Sequence, residues 1–157
     1  MEELFAGRNL DLAQVKMRYK KVAEELGLPL GDRSKTYNSR RAQELAKWAE
    51  EKGKGEAFHE VVFRAYFVEG RNIGLVDELT RLAESIGLPA EEAKAVLGQR
   101  SYRKSVDEDW SQALEMGISA VPTFVLNRQR VVGAQPYEVL EQFVEACGVK
   151  RRPKARP

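Results

Sequence analysis

Few residues in this chain can do covalent chemistry. Cys147 is the single cysteine and His59 the single histidine among 157 residues. Thiol–disulfide exchange needs an attacking thiolate and a second thiol that resolves the mixed disulfide. There is no CxxC pair, so no single copy can run that cycle, and Cys147 cannot close an internal disulfide. It falls on the apolar face of the last helix, where two readings stay open: an inert packed sulfur, or an exposed thiol that pairs between chains. His59 could serve as a base or a ligand. No second His or Cys stands three or four residues away, so the spacing gives no helical metal site. A partly buried or surface histidine is the plain alternative. No Gly-rich phosphate loop and no Ser-His-Asp arrangement is readable. The sequence therefore offers no catalytic residue, no metal ligands and no cofactor.

The most informative stretch is Gly117-Ile118-Ser119-Ala120-Val121-Pro122-Thr123-Phe124-Val125. It joins a helix end, a short loop and a strand start. Proline is the only residue for which a cis peptide is cheap, and it lacks a backbone N–H. An ordinary proline at a strand start would look the same. Asn38 and Ser39 form a second candidate pair, either as a helix cap or as contacts to a substrate.

The elements that must position these residues are mostly helical. Leu12, Val15, Tyr19, Val22 and Leu26 recur at steps of three and four, with Asp11 as N-cap and Gly27 as stop. A second helix runs from Asn38 or Ser39 to Gly53. Ala42, Leu45, Ala46 and Ala49 form its packing face, and Glu44, Lys47, Glu50, Glu51 and Lys52 its solvent side. The third, about residues 56–68, is apolar over so much of its surface that burial between other helices is expected. Three more follow, ending at Gly87, after Leu97 and at Gly117. Residues 122–126 and 130–133 are β-prone around Asn127-Arg128-Gln129, which reads as an antiparallel hairpin. A last helix starts at Pro136 and carries Val139, Leu140, Phe143, Val144 and Cys147. A lone hairpin is marginal in water. It needs more sheet, a helical platform or another chain, and self-association through its open edge is the expectation.

Composition is that of a globular domain, 43% apolar and 32% charged. No apolar run is long enough to span a bilayer. The acidic start Met1-Glu2-Glu3-Leu4-Phe5 lacks the pattern of a secretory signal, so the cytoplasm is the expected compartment. Net charge is +2, and Lys150, Arg151, Arg152, Lys154 and Arg156 supply it. Pro153 and Pro157 discourage a helix there, and a disordered tail is the plain reading. Contact with nucleic acid or an acidic membrane is the alternative, weakened by the lack of a stacking aromatic.

Taken together, Gly117–Val125, Arg130–Leu140, Thr36–Ala42 and Phe58–Phe67 resemble the DsbA-like thioredoxin-fold oxidoreductases, FrnE-type branch, over residues 1–148. The resemblance implies an α/β thioredoxin-like fold with a helical insertion. This chain would be mostly α with one C-terminal β-hairpin, its first, CxxC-bearing β-α-β unit absent. Residues 1–117 would be the insertion, 118–148 the β-β-α part and 149–157 a basic disordered tail. Val121, Pro122 and Thr123 would form the cis-proline loop that holds a protein or peptide substrate, with Asn38 and Ser39 lining the cleft. The function implied is that of a truncated protein disulfide oxidoreductase, inactive in dithiol exchange as it stands. A neighbouring branch, 2-hydroxychromene-2-carboxylate isomerase and kappa-class glutathione transferase, is the alternative. A non-catalytic, self-associating helical module is the third.

Overall fold

The computed structural model describes residues 12–150. The expected cap at Asp11 and the tail beyond Lys150 lie outside the described residues. In order, the elements are α1 (Leu12–Glu25), α2 (Arg40–Glu51), α3 (Gly55–Phe63) continued by a π-helical turn (Arg64–Val68), α4 (Val76–Ser85), α5 (Ala90–Gln99), α6 (Arg103–Glu115), β1 (Thr123–Leu126), β2 (Gln129–Val132) and α7 (Tyr137–Ala146). The expected succession of six helices, a hairpin and a helix is the one observed. The chain divides into two compact units, residues 1–107 and 108–157. The division falls within α6, whereas the sequence places it after Gly117. The physical reason lies in burial: Val106 is the one buried residue of α6.

The first unit has a continuous core. Ala42, Ala46 and Ala49 of α2 are buried beside Leu45 and Trp48, and the small side chains let neighbouring helices approach. Phe58 and Val62 of α3, Leu79, Leu82 and Ala83 of α4, and Ala93 and Leu97 of α5 complete the cluster. Acidic residues open α4 (Asp77, Glu78) and α5 (Glu91, Glu92), where the positive end of the helix dipole favours them. Tyr102 donates to Glu51 at 2.5 Å, an anionic acceptor that pushes the phenol up to about 12.

Two expectations need correction here. Glu44 is not on the solvent side of α2 but 1% exposed. The third helix is not buried all round. Phe58, Val62 and Ala65 face the core, while Phe63 and Phe67 are exposed. The exposed rings cover one another instead. His59 stacks on Phe63 with centroids 6.2 Å apart, Phe63 meets Phe67 at 6.0 Å, and Arg33 lies 4.0 Å over the Tyr66 ring. The π-helical turn also carries a loop. Gly31 N–H donates to Phe67 O at 2.9 Å, and a Cβ on Gly31 would come within 1.9 Å of Val68 O, so only glycine fits.

In the second unit β1 and β2 pair antiparallel, with Thr123 opposite Val132 and Leu126 opposite Gln129. The turn is therefore two residues, Asn127 and Arg128, and the expected third, Gln129, belongs to the ladder. Asn127 and Arg128 both have positive φ, 48° and 66°. A two-residue type I′ turn requires this, because its twist matches that of the strands. Asn127 Nδ2 also donates to Cys147 O at 3.0 Å, tying the turn to the end of α7. These are the only two strands among the described residues, and no described residue from 108 to 150 is buried.

A Cβ makes the left-handed conformation at Arg128 unfavourable, by about 1 kcal/mol. Replacing Arg128→Gly should therefore strengthen the hairpin. Hydrogen exchange of the cross-strand amides should slow by roughly fivefold; unchanged or faster exchange would contradict the turn assignment.

Candidate functional site: the loop before the hairpin

The loop from Gly117 to Thr123 is built by local hydrogen bonds within the second unit. Gly117 ends α6 with φ +68°, its N–H donating to Leu114 O and that of Ile118 to Ala113 O. That pattern closes a helix C-terminus and favours glycine. Arg130 of β2 reaches back and donates Nη1–H to Gly117 O at 2.8 Å; a Cβ on Gly117 would sit 2.6 Å from the same nitrogen. Farther on, Thr123 Oγ1 donates to Ala120 O at 2.6 Å, and Gly133 N–H donates to Pro122 O at 2.7 Å. The Val121–Pro122 peptide bond is cis.

These bonds fix both ends of the loop and leave its apex bare. Val121 is 87% exposed, Pro122 is exposed and Thr123 half-buried. The loop presents backbone and one aliphatic side chain at the head of a strand.

Asn38 and Ser39 lie in the first unit, at the start of α2. Asn38 Oδ1 accepts the Arg40 N–H at 2.8 Å, and Ser39 Oγ accepts from Gln43 Nε2 at 3.0 Å. The geometry gives Asn38 the task of satisfying an orphan donor in the first turn. A charge cluster follows that the sequence reading missed. Arg100 donates Nε–H and Nη2–H to the two oxygens of Glu44, each at 2.6 Å, and Arg40 Nε donates to the same carboxylate at 3.1 Å. Arg40 Nη2 also donates to Arg103 O and to Asp107. The Arg100 guanidinium, then Arg40, holds the Glu44 carboxyl below its ordinary range against the opposing effect of burial. Arg100 itself ends α5 in the left-handed conformation, φ 55°, without being glycine. The bidentate pair with Glu44 explains why an arginine occupies that strained position. The sequence carried only a weak signal of this, the Arg40–Glu44 spacing of four.

Cys147 caps α7. Its Sγ lies 3.6 Å from Gln129 Oε1 and 3.8 Å from Leu126 O. His59 is exposed in the first unit. Among the described residues no group of three or more His, Cys, Asp or Glu could hold a metal ion.

Comparison with known proteins places this geometry. The family model for the DSBA-like thioredoxin domain matches residues 6–145. The uncharacterized protein YwbO of Bacillus subtilis is 37% identical over 98 residues, 62% of this chain and 49% of that protein. The match thus spans about half the length of the curated relative. Among solved structures, one described as a probable DsbA oxidoreductase of Streptomyces coelicolor has a TM-score of 0.79 at 29% identity, over 99% of this chain and 70% of that one. A 2-hydroxychromene-2-carboxylate isomerase has a TM-score of 0.66 at 27% identity, over 87% of this chain and 68% of that one. The cytosolic disulfide reductase DsbM of Pseudomonas aeruginosa, solved with GSH, has a TM-score of 0.54 at 26% identity, over 81% and 71%.

The cluster at Glu44 sets an acid limit on stability. Its carboxyl is depressed in the folded state, so its contribution is complete above the unfolded value of about 4.3 and is lost as pH falls through the folded value. Replacing Glu44→Gln should cost on the order of 2–3 kcal/mol at neutral pH, the low end for a buried pair because Arg100 is 34% exposed. Urea unfolding at pH 7 and at pH 3 should show that gap narrowing in acid. A gap of the same size at both would mean the ion pair is not what stabilises α2 against α5.

Proposed function

The chain belongs to the DSBA-like thioredoxin-domain family, and from that premise we propose that it carries the substrate-binding portion of a FrnE-type protein disulfide oxidoreductase. In this reading the chain as given is a truncated form and turns over no dithiol by itself. The observation that carries it is the pairing of a family match over residues 6–145 with a sequence holding one cysteine. An extended segment of a protein substrate lies along Val121, Pro122 and Thr123, and its main chain pairs with the loop backbone. The exposure of Val121 supports this, because a loop built only to join α6 to β1 has no reason to hold an aliphatic side chain in water. Cys147 takes no part. Its place at the helix end against the hairpin turn is that of a packing residue. The proposed setting is the cytoplasm, in keeping with the likeness to a cytosolic reductase.

The isomerase neighbour supports a second reading, in which the chain belongs with the glutathione-using branch. That branch dispenses with paired cysteines, so one cysteine does not count against it. Its ligand would be the glutathione tripeptide, recognised through the same loop as a short extended peptide.

The purified chain should reduce insulin disulfides, and oxidise a dithiol peptide, no faster than the buffer control. Turnover that is abolished by Cys147→Ser would overturn the first reading. Titration calorimetry with reduced glutathione separates the two readings. No saturable heat is expected on the first; a saturable one-to-one isotherm, lost when Val121 is changed to Asp, would replace it with the second.

A further inference from the structure

The helix α1 carries an apolar face that nothing described covers. Val15 is half-buried, while Tyr19, Val22 and Leu26, just past the helix end, are all exposed. No residue of α1 whose side chain is described is buried. The spacing of these residues is stricter than that of an ordinary amphipathic helix. Leu12, Val15, Tyr19, Val22 and Leu26 alternate steps of three and four without a break, which is the seam of a coiled coil. A helix that lies on a globular core shows a wider stripe. The lysines of α1 that form intramolecular ion pairs lie off this seam, although one of them pairs loosely with Glu25 on its flank. Lys20 Nζ reaches Asp32 at 2.7 Å, and Lys21 makes a loose pair with Glu25 at 3.8 Å. Both lysines are on the side opposite Tyr19 and Val22.

The flanks of the seam indicate the partner. Arg18 and Glu25 lie seven residues apart on the same flank, beside Val15 and Val22. In a parallel pair that flank would face the other one, Lys16 and Ala23, and Arg18 would meet no acid. In an antiparallel pair it faces itself, so that Arg18 of one copy lies beside Glu25 of the second and Glu25 beside Arg18. The same arrangement sets Tyr19 against Val22 and Val15 against Leu26 in reciprocal layers, and it opposes the two helix dipoles favourably. We propose that α1 is a self-docking helix, through which two copies of this chain associate by an antiparallel two-helix seam locked by reciprocal Arg18–Glu25 ion pairs.

The seam is short, since α1 has 14 residues. Dimerisation is therefore weak, with a Kd of roughly tens of micromolar. The test is sedimentation equilibrium of the full chain with a reducing agent present, from micromolar to submillimolar concentration. The unaltered chain should pass from monomer to dimer. Arg18→Glu sets glutamate against glutamate and Glu25→Arg sets arginine against arginine; each should weaken the dimer about tenfold or more. The double exchange, Arg18→Glu with Glu25→Arg, should restore it. These are surface changes outside the core, so loss of folding does not confuse the result. A chain that is monomeric throughout, or singles without effect, or a double exchange that fails to rescue, overturns the proposal. Association that ignores Arg18 and Glu25 but is lost on changing Phe124→Lys would assign self-contact to the hairpin instead.

Discussion

Every buried side chain among the described residues lies between Ala42 and Val106. That single constraint divides the molecule. Helices α2 to α5 bury one another's apolar faces and can hold their shape by packing alone. The hairpin and α7 have regular hydrogen bonds and a well-matched turn, but no fully buried side chain. Backbone hydrogen bonds contribute little net stability when both states can bond to water. Burial has to supply the rest, and in the second unit only half-buried side chains contribute to it. The apolar residues of that unit are nonetheless patterned for burial. Phe124, Val125, Val132, Val139 and Val144 are all more than a third exposed. Such a pattern is that of a sheet and helix with apolar faces on them.

The first unit meets the opposite problem, a charge inside a core. Glu44 sits in the packing face of α2, where a carboxylate alone would be costly. Two arginines from separate stretches of chain resolve it. Arg40 stands one turn earlier on α2, and Arg100 comes from the end of α5, held in a backbone conformation that glycine would adopt more easily. The resulting contact links two helices by geometry as well as by apolar area. A bidentate arginine fixes orientation, whereas Ala42 and Ala49 against their neighbours fix only distance.

Much of this was legible in the sequence, for reasons tied to period. Helix positions follow from recurrence at three and four residues, and their ends from Gly27, Gly53, Gly87 and Gly117, each with positive φ. The hairpin follows from two β-prone runs around Asn127, although its turn is a residue shorter than composition suggests. Arg128 in a left-handed conformation is not a residue that advertises a type I′ turn. The loop at Val121 and Pro122 was readable because its signal is local, a helix stop, a proline and a strand in nine residues. Glu44 was not readable. Its neighbours Lys47 and Glu50 make α2 look charged on one side, and the partner that lets it enter the core lies 56 residues away. The exposure of Phe63 and Phe67 was hidden for a related reason. Periodicity counts apolar residues, but it cannot tell a ring that faces a core from one covered by a neighbouring ring and by an arginine.

An exposed loop and a half-buried cysteine meet different physical demands. In a thiol exchanger the sulfur must be exposed, ionised easily and near a second thiol. Each of these needs works against stability, since a reactive sulfur cannot be packed. Cys147 is half-buried, with its sulfur directed at the hairpin turn and no second thiol in the sequence. Val121 is exposed on a backbone held at both ends. Exchange and recognition thus make demands on different parts of a thioredoxin-like fold. The loop keeps its shape by local bonds. The bonds from Arg130 to Gly117, Thr123 to Ala120 and Gly133 to Pro122 all arise within 17 residues of sequence and need no distant core to form them.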